Sequence, residues 1–209
     1  MSPPIRVLRP VIFLACLVPF ALLLRRGFAG TLGANPLSEI TNQTGVWTLR
    51  FLMITLAITP VRRVASQPWL IRFRRMCGLF AFFYGTLHFL TYIWFDQFFA
   101  LAAILKDVQK RPFITAGFTG FVLMVPLALT STDGMIRRMG GRNWQRLHRL
   151  IYVTALAGVV HYWWLVKADI LRPQIYASIL TVLLGFRVYR VLSTRWGTKP
   201  LPRAAQATK

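Results

Sequence analysis

Two stretches of this chain, Met76–Phe95 and Pro112–Thr132, each run for about twenty residues without a charged side chain. At ~1.5 Å rise per residue, either is long enough as a helix to cross a hydrocarbon core ~30 Å thick. Four shorter apolar runs, Pro10–Leu24, Phe51–Val61, Leu150–Val166 and Pro173–Phe186, have semi-polar flanks and arginines able to reach the interface from their ends. Lipid offers the backbone no hydrogen-bond partner, so a crossing segment is a helix or part of a closed barrel. The period-two alternation of a barrel is absent. The chain is therefore expected to be all-α, a polytopic membrane protein with six transmembrane helices in one bundle and a single domain over residues 1–209.

The formal charge of +21 comes from 26 Lys and Arg against 5 Asp and Glu. In a soluble protein this balance would suggest nucleic acid. Here the basic residues lie in the connections, where they orient the chain in membrane lipid, and no nucleic-acid partner is expected. Arg62, Arg63, Arg72, Arg74 and Arg75 lie between spans two and three, and Arg137, Arg138, Arg142, Arg146 and Arg149 between spans four and five. The tail adds Arg187, Arg190, Arg195, Lys199, Arg203 and Lys209, whereas the other connections hold only Arg25, Arg26, Lys106, Lys110, Arg111, Lys167 and Arg172. By the positive-inside rule the richer side is cytoplasmic and both termini lie there, as an even number of spans requires.

Arg6 and Arg9 precede the first apolar run as they would in a signal peptide. No small-x-small site follows, and Arg25–Arg26 closes the run, so an uncleaved helix is expected. Cys16 and Cys77 fall in separate apolar runs without ligand spacing and read as packing residues. Gly27–Thr44 is expected as an outward loop carrying Glu39, with span two beginning near Gly45 and Arg50 about one turn in. Phe98–Leu105 is too short to cross and should lie along the outer interface. Pro19, Pro126 and Gly158 mark helix kinks or close approaches. From about residue 193 the sequence is polar and Pro-rich, a flexible cytoplasmic tail.

Three histidines, His88, His148 and His161, are almost the only side chains able to hold a metal in so apolar a chain. Span three starts near Arg75, with His88 thirteen residues later; span five starts near Arg149, with His161 twelve residues later. At helical rise the two imidazoles stand about 20 and 18 Å above the cytoplasmic side, nearly level in the outer half of the membrane. Two neutral imidazoles from facing helices form an axial pair for a low-spin haem b and leave no open position for dioxygen, so electron transfer is the expected chemistry. His148 lies about 20 Å lower, thirteen residues before His161 on the same segment, where span three offers Arg75, Met76 and Cys77 but no histidine. A thirteen-residue step turns ~140° around an ideal helix, so His148 and His161 are expected to serve different sites. Two readings of His148 stay open: a ligand of a second haem with an unidentified partner, or part of a flavin or quinone site with Arg75, Trp144, Arg146 and Arg149.

Arg50, a charge inside an apolar run, either snorkels outward or pairs with a haem propionate near the outer face. Glu39 and Asp96 are outer-side acids suited to meeting a basic partner surface. Tyr92, Trp94, Tyr162, Trp163 and Trp164 read mostly as interfacial belt residues, and Phe80, Phe82, Phe83 and Tyr84 as helix packing.

The stretches GANPLSEITNQTGVW (33–47), LAITPVRR (56–63), RRMCGLFAFFYGTLHFLTY (74–92), KRPFITAGFTG (110–120), PLALTSTDGMIRRMGGRNWQRLHRLIY (126–152) and HYWWLVK (161–167) resemble, in this order, the MsrQ (formerly YedZ) family. That family belongs to the ferric reductase-like transmembrane superfamily, and the resemblance covers about residues 33–167. It implies a haem-binding membrane subunit of a methionine sulfoxide reductase system, in the bacterial inner membrane. His88, His161 and His148 match three of the four positions by which larger relatives hold two haems. FMN is implied as a further cofactor, the respiratory quinone pool or a cytosolic flavin reductase as donor, and the periplasmic molybdoenzyme MsrP as the catalytic partner that repairs envelope proteins. The chain contains no GxGxxG motif of a fused nucleotide-binding domain, which suits an external donor. Two other readings are a free-standing transmembrane metalloreductase and a transporter whose histidines relay protons or bind metal; the lack of carboxylates in the two long spans counts against the transporter.

Overall fold

The computed structural model describes residues 3–196. Its helices are α1 (Pro3–Phe28), α2 (Pro36–Val64), α3 (Ile71–Thr91), α4 (Leu101–Lys110), α5 (Pro112–Leu129), α6 (Asp133–Met139), α7 (Gly141–Leu147), α8 (Leu150–Leu165) and α9 (Leu171–Trp196). A 3-10 turn, Pro68–Leu70, leads into α3, and a π-helical turn, Tyr92–Asp96, follows it; no strand occurs among the described residues. α1, α2, α5, α9 and α3 with its flanking turns are the five helices long and apolar enough to cross a membrane. The sixth expected span is α8, whose 16 residues cover only ~24 Å; it completes the bundle by packing along α5.

Two helix pairs, α2 with α3 and α5 with α8, form the centre, closed by packing of α3 on α5 and of α2 on α8. Leu49, Leu52, Leu56, Phe80, Tyr84, Met124, Ile151 and Val159 fill the core between them. α1 lies outside α3, and α9 outside α2 and α8. Both outer helices turn apolar side chains outward, among them Val7, Val11, Leu14 and Val18 on α1 and Ile175, Ile179 and Val182 on α9. An exterior of this kind is at home in lipid rather than in water.

Prolines inside two spans open the helix ladder, and side chains from other helices fill the gaps. Beside Pro19 in α1, the Tyr84 hydroxyl accepts from the Phe20 N–H at 3.2 Å and donates to the Cys16 carbonyl at 2.8 Å, sitting inside one rung of the ladder. In α2, Pro60 has no N–H for the Leu56 carbonyl, and Arg187 of α9 donates to that oxygen instead at 2.7 Å. Tyr84 is 1% exposed. Tyr84→Phe should therefore strand two buried backbone groups at ~1–3 kcal/mol each and lower the thermal midpoint in detergent. An unchanged midpoint would show that α1 closes the rung unaided.

Several boundaries differ from expectation. The outward loop predicted over Gly27–Thr44 is only residues 29–35. Asn35 caps α2 by accepting from the Ser38 N–H at 3.1 Å, and Pro36 fits the first helical position. Glu39 thereby falls in the first turn of α2, where it accepts from the Gly33 N–H at 2.9 Å and pairs with Arg26, so it is engaged within the chain. Arg50 accordingly lies about four turns into α2 rather than one. The expected interfacial stretch is α4, with Ile104 buried, Leu101 and Leu105 exposed, and Asp107 receiving the Tyr92 hydroxyl at 3.0 Å. α9 continues to Trp196, so residues 193–196 are helical where a flexible tail was expected; residues 197–209 of that tail lie outside the described residues.

Candidate metal centre

His88 is carried on the last turn of α3 and His161 near the end of α8, both toward the end of the bundle opposite the arginine-rich connections. Their rings lie edge to face, with centroids 6.0 Å apart and planes at 74°. His88 Nδ1 donates to the Thr41 carbonyl of α2 at 2.9 Å, and His161 Nδ1 donates to the Phe113 carbonyl of α5 at 2.6 Å. A carbonyl only accepts, so Nδ1 carries the proton in both rings and Nε2 keeps its lone pair. Neither Nε2 has a hydrogen-bond partner among the described residues.

The two anchors are built alike. Four residues after each accepting carbonyl stands a glycine, Gly45 after Thr41 and Gly117 after Phe113. A Cβ at Gly45 would lie 3.0 Å from His88 Cε1, and one at Gly117 only 2.6 Å from His161 Nδ1. Each imidazole thus lies against the backbone of the neighbouring helix where a glycine leaves room, and reaches the carbonyl one turn back. α3 and α8 carry the rings; α2 and α5 aim them. Neither glycine nor either carbonyl was singled out in the sequence, although both Gly positions lie within the recognisable motifs.

The arrangement fits a haem. Two imidazoles bound to one iron at ~2 Å have ring centres ~6 Å apart, which matches the pair. Among the described residues, no group of three or more His, Cys, Asp or Glu is placed to hold a bare ion. Two imidazoles are sufficient for an iron whose four equatorial ligands come from a porphyrin. Apolar walls stand nearby: Phe89 stacks on Phe121 at 4.3 Å, and Phe121 on Phe82 at 5.9 Å, between α3 and α5.

His148 is differently held. It was expected on one segment with His161, but α7 ends at Leu147 and α8 begins at Leu150, so His148 sits in the turn between them. Its ring stacks on Trp144 at 3.9 Å, and its Nε2 lies 3.0 Å from Thr130 Oγ1. That hydroxyl already donates to the Pro126 carbonyl at 2.6 Å, so it accepts from His148 Nε2–H. The Trp144 indole N–H donates to the Thr130 carbonyl at 2.8 Å, completing the clasp. Burial, with Arg74 nearby, holds the His148 pKa below its ordinary value. In His148 the nitrogen that is free in the other two histidines is thus engaged.

The remaining candidates at the arginine-rich end come together there. Arg75, Trp144, His148 and Arg149 line a cavity of about 430 Å³ whose deeper wall is Leu52, Phe82, Met124 and Leu127. Arg146 does not line it. Arg75 is tied to Asp133 of α6 at 2.5 Å, and this hydrogen bond and charge hold the Asp133 carboxyl below the usual carboxylate range. Arg50 stands elsewhere, in a second cavity of about 430 Å³ between α2, α8 and α9.

Known proteins are similar to this chain over most of its length. The family described as ferric reductase like transmembrane component matches residues 44–159, which take in His88 and His148 and stop just short of His161. The chain is 54% identical over 191 residues to the protein-methionine-sulfoxide reductase heme-binding subunit MsrQ of Herminiimonas arsenicoxydans, covering 90% of this chain and 88% of that one. It is 53% identical over 195 residues to the protein of the same name from Ralstonia nicotianae, covering 91% and 90%. The counterpart from Xanthomonas campestris pv. campestris is 55% identical over 164 residues, 78% of this chain and 75% of that one.

Proposed function

The chain belongs to the MsrQ family of ferric reductase-like transmembrane subunits, and on that premise we propose that it is a b-type cytochrome carrying electrons across the bacterial inner membrane to a periplasmic methionine sulfoxide reductase, MsrP. The observation that carries this reading is the pair His88 and His161, rings 6.0 Å apart, each Nδ1 anchored and each Nε2 free. An iron porphyrin between them would supply a one-electron couple with no open coordination position. The protein residues orient that couple: Thr41 and Phe113 hold the rings, Gly45 and Gly117 give them space, and Phe82, Phe89 and Phe121 keep water away from α3 and α5.

The inner cavity suits the donor. Its apolar depth and its mouth of Arg74, Arg75, Trp144, His148 and Arg149 fit a flat, partly polar ring system. A quinol or a flavin such as FMN has that shape, and a cytosolic flavin reductase would approach the same cationic face. The engaged Nε2 of His148 supports its role in lining this cavity over a role as ligand of a second haem. With the arginine-rich end in the cytoplasm, both termini lie there and the histidine pair lies toward the periplasm, where MsrP would accept electrons.

The test is optical and then functional. Purified, haem-replete protein should give b-type bands in its reduced-minus-oxidised spectrum. After reduction by limiting dithionite it should be reoxidised by MsrP with methionine sulfoxide. Absence of the bands would overturn the cytochrome reading. Reoxidation by ferric chelates but never by MsrP would turn it to a metalloreductase.

A further inference from the structure

The cavity around Arg50 opens on the apolar exterior between α2, α8 and α9, and is lined by Gln43, Val46, Arg50, Tyr162, Arg172 and Tyr176 among others. Arg50 Nε donates to the Tyr176 hydroxyl at 3.2 Å, and the guanidinium lies 4.5 Å from the Trp47 ring centre. Arg172 and Tyr162 line the same cavity. The Tyr162 and Tyr176 rings stand 6.0 Å apart. No carboxylate lines the cavity. The ion pairs among the described residues are Arg26–Glu39, Arg75–Asp133 and Arg111–Asp107, so neither Arg50 nor Arg172 is in one. Asp169, at the start of α9, accepts from the Leu171 N–H at 3.2 Å and forms no ion pair with either arginine.

Depth makes this imbalance informative. Tyr176, which Arg50 touches, is five residues into α9, about 7 Å from its outer end. A guanidinium at that level sits near the boundary of hydrocarbon and headgroups, within reach of lipid phosphates. Phosphate suits such a cavity: two guanidinium groups and phenol and amide groups line it, and the start of α9 favours negative charge. Exposed Ile175 and Ile179 continue the surface below as a path for acyl chains.

We propose that this cavity binds the phosphate of an outer-leaflet phospholipid between Arg50 and Arg172. The test is native mass spectrometry of the detergent-purified protein titrated with phosphatidylglycerol. Wild type should retain one tightly held lipid per chain, and R50Q and R172Q should each weaken it by about fivefold. Diacylglycerol, which lacks the phosphate, should bind none of them preferentially. Far-UV circular dichroism checks folding; if R50Q does not fold, R172Q, in the exposed first turn of α9, decides the matter. Equal phosphatidylglycerol retention by the wild type and the folded variants would overturn the proposal. So would an unchanged lipid count with a shifted haem spectrum, which would make the anion a haem carboxylate.

Discussion

Gly117→Ala is expected to leave the helices intact and abolish the low-spin haem spectrum. In an ordinary helix interior the change favours folding by up to ~1 kcal/mol, so a loss has to come from the site. The added Cβ would lie 2.6 Å from His161 Nδ1, 2.9 Å from Cε1 and 3.1 Å from Cγ. The whole ring must move, which breaks the bond to the Phe113 carbonyl and the 6.0 Å relation to His88. Gly45→Ala should do less, lowering haem retention without erasing it, because its Cβ meets His88 at 3.0 Å and a shift of a few tenths of an ångström relieves it. Haem per chain and reduced-minus-oxidised absorbance measure both, with far-UV circular dichroism to show that helicity is kept. A Gly117→Ala protein with full haem and unshifted bands would show that the helix backbone does not seat the ring.

The parts of this architecture that were legible in the sequence depend on quantities that run along a line. Hydropathy marks the six apolar runs, and residue count times helical rise puts His88 and His161 at one height, where the structure brings their ring centres within 6.0 Å. What was not legible depends on a second element. The polar residues Ser38 to Thr44 read as loop because polarity signals water, yet Asn35 starts the helix before it enters the membrane. His148 was placed on a continuous helix because nothing in Leu147–Leu150 spells a break; a short turn supplies it. The acceptors of the two Nδ1 protons are backbone carbonyls, which leave no trace in residue type. Pro19 was marked as a kink, but that Tyr84 would fill the opened rung follows only from the packing of α1 on α3.

His88→Ala and His161→Ala should each remove the entire low-spin signal rather than a share of it. In the proposed site both rings would hold one iron, and truncating either would leave it with a single imidazole ligand and easily lost. His148→Ala should keep haem content and band positions, because its Nε2 is bound to Thr130 and its ring to Trp144, away from the pair. Its effect should fall on the inner cavity: Trp144 loses its stacking partner, Thr130 loses a donor, and reduction by a quinol or flavin donor slows while dithionite still reduces the protein fully. Absorbance and electron paramagnetic resonance of the three variants, at matched protein concentration, separate the outcomes. Were His148→Ala to lose half the haem with the rest unaltered, that half would have His148 as its ligand and the clasp with Thr130 would be a resting arrangement. If instead the signal survived in both His88→Ala and His161→Ala, the paired-imidazole site itself would be wrong.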